Sequence, residues 1–81
     1  MQITVQFFSQ LRDLVAASEL PVELPEDSRI ADLLAQLYRQ YPPLEKWDAN
    51  LLIGAGLDFV GRDHVLRPND QIAIMPPVQG G

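Results

Sequence analysis

Few side chains in this 81-residue chain could do chemistry, and they are scattered. There is one histidine, His64, set between Asp63 and Val65 in a turn-like stretch. A general base works only on a positioned partner. No cysteine is present to be that partner, and no serine stands in a Gly-x-Ser-x-Gly setting. His64 therefore reads as a surface loop residue. Glu26 and Asp27 precede a helical pattern, and Asp58, Asp63 and Asp70 lie near turns, where solvated carboxylates are ordinary. Gly54-Ala55-Gly56 lacks the Lys-Ser/Thr and the helix that follow a phosphate loop, so a bulge or tight bend is expected there. With no cysteine and one histidine, a metal site has no support.

What remains is the backbone. The sequence closes on PPVQGG, Pro76 to Gly81, and the α-carboxylate of Gly81 is the one group whose setting suggests a reaction. A carboxylate is a poor electrophile until it is activated, for example as an acyl adenylate. Glycine lacks a Cβ, so another enzyme can close around Gly81 in a narrow channel, and Gly80 adds torsional freedom beside it. Pro76 and Pro77 fix φ and carry no N–H, so they direct the chain out of a sheet. Six extended residues, Val78 among them, reach about 20 Å at ~3.3 Å each. That is enough to thread into a neighbouring protein's active site.

Composition narrows the classes further. The length fits one small domain. Apolar residues make up 47% and charged residues 21%, which suits a globular chain with a modest core. The net charge is −5, and Arg12, Arg29, Arg39, Lys46, Arg62 and Arg67 form no basic cluster. A nucleic-acid partner is not expected, because binding phosphates requires a basic face. A partner with a basic surface would associate faster. No apolar run approaches the ~18–20 residues that cross a membrane, and MQITVQFF has no basic segment ahead of its apolar stretch. No membrane association and a cytoplasmic location are the expectations.

The elements that must position the tail can be read along the chain. Gln2 to Phe8 alternates as a strand, with Ile3, Val5 and Phe7 on one face and Phe8 on the other. Ser9 is expected to cap a short helix with Leu11, Leu14 and Val15 on one side. Leu20 to Leu24 is a second strand, and Pro21 suits a sheet edge. Ile30, Leu33, Leu34, Leu37, Tyr38 and Tyr41 make a helical stripe from Ser28, the expected N-cap, to Tyr41. Pro42 and Pro43 end that helix. Three further strands are expected at Leu51–Ala55, Asp58–Val60 and Gln71–Met75, the last entered through the Arg67-Pro68-Asn69-Asp70 turn. One helix on a mixed sheet is a two-layer α+β architecture. The order resembles the β-grasp of ubiquitin-like domains, whose first and last strands lie side by side and parallel at the sheet centre. Residues 1–75 would form that domain and 76–81 a flexible C-terminal tail ending in Gly-Gly.

VQFFSQLRDLV, the helix, DHVLRPNDQIAIMPPV and the final Gly-Gly together resemble the small, sulfur-carrying subunits of molybdopterin synthase. The resemblance runs end to end, and Pro-Pro-Val-x-Gly-Gly is its most specific part. It implies that an ATP-dependent adenylating enzyme activates Gly81 and that a sulfur donor converts the adenylate to a thiocarboxylate. The large synthase subunit would then take the tail, and sulfur would pass to cyclic pyranopterin monophosphate. The implied assembly is a heterotetramer of two small and two large subunits. The small subunit would bring no catalytic side chain and no bound cofactor, ATP being used by the activating enzyme. The chain departs from the pattern at Asn69, where Gly is usual, and at Met75, where an aromatic residue is common. Strand parity places Phe8 and Met75, joined by Phe59, on an outward face near the tail as a docking patch, with Arg12 as a polar contact at its rim. The same terminus also fits a sulfur carrier for thiamine or cysteine synthesis, or a ubiquitin-like protein modifier joined to lysines. A plain interaction domain would survive loss of Gly81.

Overall fold

The computed structural model describes residues 1–77. Strand β1 (Gln2–Phe7) and β2 (Glu19–Glu23) form an antiparallel pair connected through the short helix α1 (Gln10–Val15). Helix α2 (Ile30–Gln40) follows, then a 3₁₀ segment (Pro42–Asn50). Strands β3 (Leu52–Ala55), β4 (Asp58–Phe59) and β5 (Gln71–Met75) complete the sheet. Its order is β2-β1-β5-β3-β4. β1 and β5 run parallel, Val5 opposite Ile72 and Phe7 opposite Ile74, while β3 lies antiparallel to β5. This is the β-grasp arrangement that the strand order implied.

Period-two patterning explains which face closes. Ile3, Val5, Phe7, Ile53, Ile72 and Ile74 are buried beneath α2, which contributes Ile30, Leu33, Leu34 and Leu37. Leu11 and Val15 of α1, Val22 and Leu24, Leu44 of the 3₁₀ segment, Leu51 and Leu66 complete the core. β2 is an edge strand, and Pro21 occupies it without costing the sheet a needed donor.

Several local expectations are corrected. Ser9 does not cap α1 with its side chain. It adopts φ 57° and ψ −138°, and the Leu11 N–H donates to the Phe8 carbonyl at 3.2 Å. That is a type II′ turn with Ser9 where glycine is preferred. Ser28 does not cap α2 either. Residue 29 stays extended because it bridges to Val65, so the helix starts one residue later. The Asp32 carboxylate then accepts from the Arg29 N–H at 2.8 Å, and the Ser28 hydroxyl donates to the Pro25 carbonyl at 2.7 Å. β2 begins and ends one residue earlier than expected, β3 starts at Leu52, and β4 stops at Phe59. The 3₁₀ segment after Pro42-Pro43 was not anticipated; Leu44 and Trp47, three apart, turn towards the core. The turn into β5 forms as expected, with Asn69 at φ 69° and the Asp70 carboxylate accepting from the Arg67 N–H at 2.9 Å.

Candidate functional site

β5 lies at the centre of the sheet and leads directly into Pro76-Pro77, both half-buried. Its neighbours frame this exit. On one side the Phe8 N–H donates to the Ile74 carbonyl at 3.2 Å. On the other, Leu52 stands opposite Met75. The type II′ turn at Ser9 diverts the chain immediately after Phe8, so Phe8 stays beside the exit without joining the core. Its exposure is 43%.

Alternation along the strands then assembles an outward apolar face. Ala73 and Met75 alternate with the buried Ile72 and Ile74. Leu52 pairs with Met75, Gly54 with Ala73, and Phe59 with Gly54. Partners share a face, so Phe8, Leu52, Gly54, Phe59, Ala73 and Met75 belong to one surface. A Cβ on Gly54 would lie 3.4 Å from Met75 Cε and 3.7 Å from Ala73 Cβ. The Met75 methyl therefore lies close over Gly54 and covers the strand there. Phe59 stands out beside this low ground at 71% exposure. Towards β2 the same face turns polar, with Gln2, Thr4 and Gln6 opposite Glu23, Pro21 and Glu19. Arg12 lines a shallow hollow with Gln6, Phe8, Ser18 and Glu19.

Thus Phe8, Met75 and Phe59, singled out by parity, lie on one face, and Arg12 lies beside Phe8. Sequence reasoning missed Leu52 and Gly54, whose place on this face depends on the register of β3 against β5. Pro76 and Pro77 are where the sheet ends; Val78, Gly80 and Gly81 lie outside the described residues.

Tyr38, Asp48 and Arg62 form a cluster that ties the fold together. The Tyr38 hydroxyl and the Arg62 guanidinium both donate to Asp48, the latter at 3.0 Å, tying α2 and the β4–β5 connection to the 3₁₀ segment. Burial, and then the bond to Asp48, push the Tyr38 hydroxyl above its ordinary range. The Tyr38 hydroxyl, and then Arg62, hold the Asp48 carboxyl below its ordinary value. His64 is half-buried; its carbonyl accepts from the Ile30 N–H at 3.0 Å. It lines a hollow with Val65, Arg67 and Asp70 at the end of β5 away from the tail. Among the described residues no group of His and acidic side chains could hold a metal ion, and no helix is long and apolar enough to cross a membrane.

Residues 5–81 match the model described as ThiS family. The molybdopterin synthase sulfur carrier subunit of Escherichia coli is 37% identical over 82 residues, covering 98% of this chain and 99% of that protein. A solved structure from Pyrococcus furiosus, provisionally assigned as molybdopterin converting factor subunit 1, has a TM-score of 0.87 at 26% identity, covering 96% of this chain and 99% of that one. A chain of the subunit 1 and 2 complex of the molybdopterin-converting factor from Helicobacter pylori has a TM-score of 0.72 at 21% identity, with both chains covered in full.

Proposed function

Because this chain belongs to the ThiS family, we propose that it is the sulfur carrier of molybdopterin synthesis, a sulfur-donating subunit without catalytic side chains of its own. The observation that carries this reading is the junction of β5 with Pro76-Pro77 beside an open apolar face. The proline pair ends the sheet, since neither residue has an N–H to continue it, and the apolar face beside it gives a partner something to hold.

The chemistry is then confined to the tail. An ATP-dependent adenylating enzyme activates the Gly81 carboxylate: a carboxylate oxygen takes the adenylyl group and pyrophosphate leaves. A sulfur donor displaces AMP and leaves a thiocarboxylate. The large synthase subunit receives the tail, and sulfur passes to cyclic pyranopterin monophosphate. Gly80 and Gly81 pass a narrow channel because neither has a Cβ. Phe8, Phe59 and Met75 dock on the large subunit, and Arg12 adds a charged contact at the edge. The subunit 1 and 2 complex from H. pylori supports a large-subunit partner. The assembly holds two small and two large subunits, acts in the cytoplasm, and needs no cofactor bound to this chain.

The test is the intact mass of the protein after incubation with the adenylating enzyme, ATP and a sulfide source. The full-length chain should gain the mass difference between sulfur and oxygen, and a chain lacking Gly81 should not. No change in the full-length chain, under conditions that charge a known carrier, overturns the reading.

A further inference from the structure

An activated carboxyl group reacts with any free amine, so the amines of its own carrier matter. This chain has one lysine, Lys46; the other five basic side chains are arginines. A guanidinium stays protonated at any working pH and is no nucleophile. The amino group of Met1 is engaged: it donates to the Leu24 carbonyl at 2.7 Å and lies 4.0 Å from the Glu23 carboxylate. It must give up that bond before it can attack. The Lys46 side chain is exposed, and among the described residues it makes no hydrogen bond or ion pair.

Its placement is fixed. The 3₁₀ segment is anchored by buried Leu44 on one side of Lys46 and by Asp48, bound to Tyr38 and Arg62, on the other. That segment packs with α1 and α2, on the layer across the sheet from the apolar face. Lys46 therefore stays open to solvent when a partner covers Phe8, Phe59 and Met75. A copy whose tail lies in an enzyme's active site cannot offer that tail to its own Lys46, but a second copy can offer its amine.

We propose that Lys46 is an acyl-acceptor site for the activated terminus of a second copy of this chain, used when sulfur is scarce. The neutral Lys46 Nζ attacks the Gly81 carbonyl of the acyl adenylate. The carbon–nitrogen bond forms, the bond to the AMP oxygen breaks, AMP leaves, and the ammonium proton goes to solvent. The product is an isopeptide-linked dimer. This rests on the adenylation of Gly81 proposed above.

The experiment incubates the full chain with the adenylating enzyme and MgATP, without a sulfur source, following AMP release and mapping any product by mass spectrometry. We expect a covalent dimer branched at Lys46, suppressed by added sulfide, and reduced at least tenfold in Lys46→Arg with unchanged pyrophosphate exchange. Exchange without dimer, a branch at Met1, or a dimer that persists in Lys46→Arg overturns the Lys46 assignment and leaves the carrier reading intact. Absence of pyrophosphate exchange itself overturns both.

Discussion

The two faces of the paired β1 and β5 segments treat apolar side chains in opposite ways. Inward, Val5, Phe7, Ile72 and Ile74 are shut away under α2; outward, Phe8, Ala73 and Met75 remain within reach of solvent. The inner face gains its free energy within the chain, at roughly 25 cal/mol per Å² of apolar surface removed from water. The outer face leaves part of its apolar area in contact with solvent, where the docking role proposed above would use it. A sheet one layer deep can thus separate stability from recognition one residue at a time.

The sharpest way to break this division is to truncate on the inner side. Ile72→Ala should cost about 2–5 kcal/mol, read as a lower urea midpoint, and should weaken partner binding only in proportion to unfolding. Truncation on the outer side should do the reverse. Phe59→Ala should change stability by under ~0.5 kcal/mol yet weaken binding to the large subunit about tenfold or more, measured by calorimetry. Equal losses in both assays would show that the two faces are not separable. Ser9→Gly tests the turn that keeps Phe8 outward. It should stabilise the fold by about 1 kcal/mol, visible as a higher Tm, because glycine adopts φ 57° without strain. The smallest effect concerns pH. Asp48, held below its ordinary value, contributes stability that is present above its unfolded pKa and is lost as pH falls through the lower folded value. Tyr38, pushed up, contributes below its unfolded value and loses that contribution as pH rises through the folded one. Asp48→Asn should therefore flatten the acid limb of a stability–pH curve, by little, since Asp48 is partly exposed.

The parts of this fold legible in sequence are those where one signal dominates. β5 was read to the residue because a turn with Asn69 precedes it and two prolines follow it. The α2 stripe was legible because a wide apolar face has no other home. The misreadings at Ser9 and Ser28 share a cause. Each serine sits where a cap would, but a long-range pairing decides the backbone: Phe8 to Ile74 at one, Arg29 to Val65 at the other. Local propensity cannot report a partner 36 or more residues away. The candidate face was legible by parity at Phe8 and Met75, which lie at the ends of neighbouring strands, Phe8 just past β1. Leu52 and Gly54 were not, because a one-residue change in the register of β3 would have turned them inward.

The place of β5 in the sheet has a consequence for synthesis. A ribosome delivers β1, β2, α2 and β3 first, but the strand that joins β1 to β3 comes after all of them. Until residues 71–75 emerge, the sheet is two unconnected fragments and α2 lacks Ile72 and Ile74 at the middle of its floor. A chain that stops short of residue 71 therefore lacks the strand that joins its two halves, and with it Ala73 and Met75 of the outward apolar face.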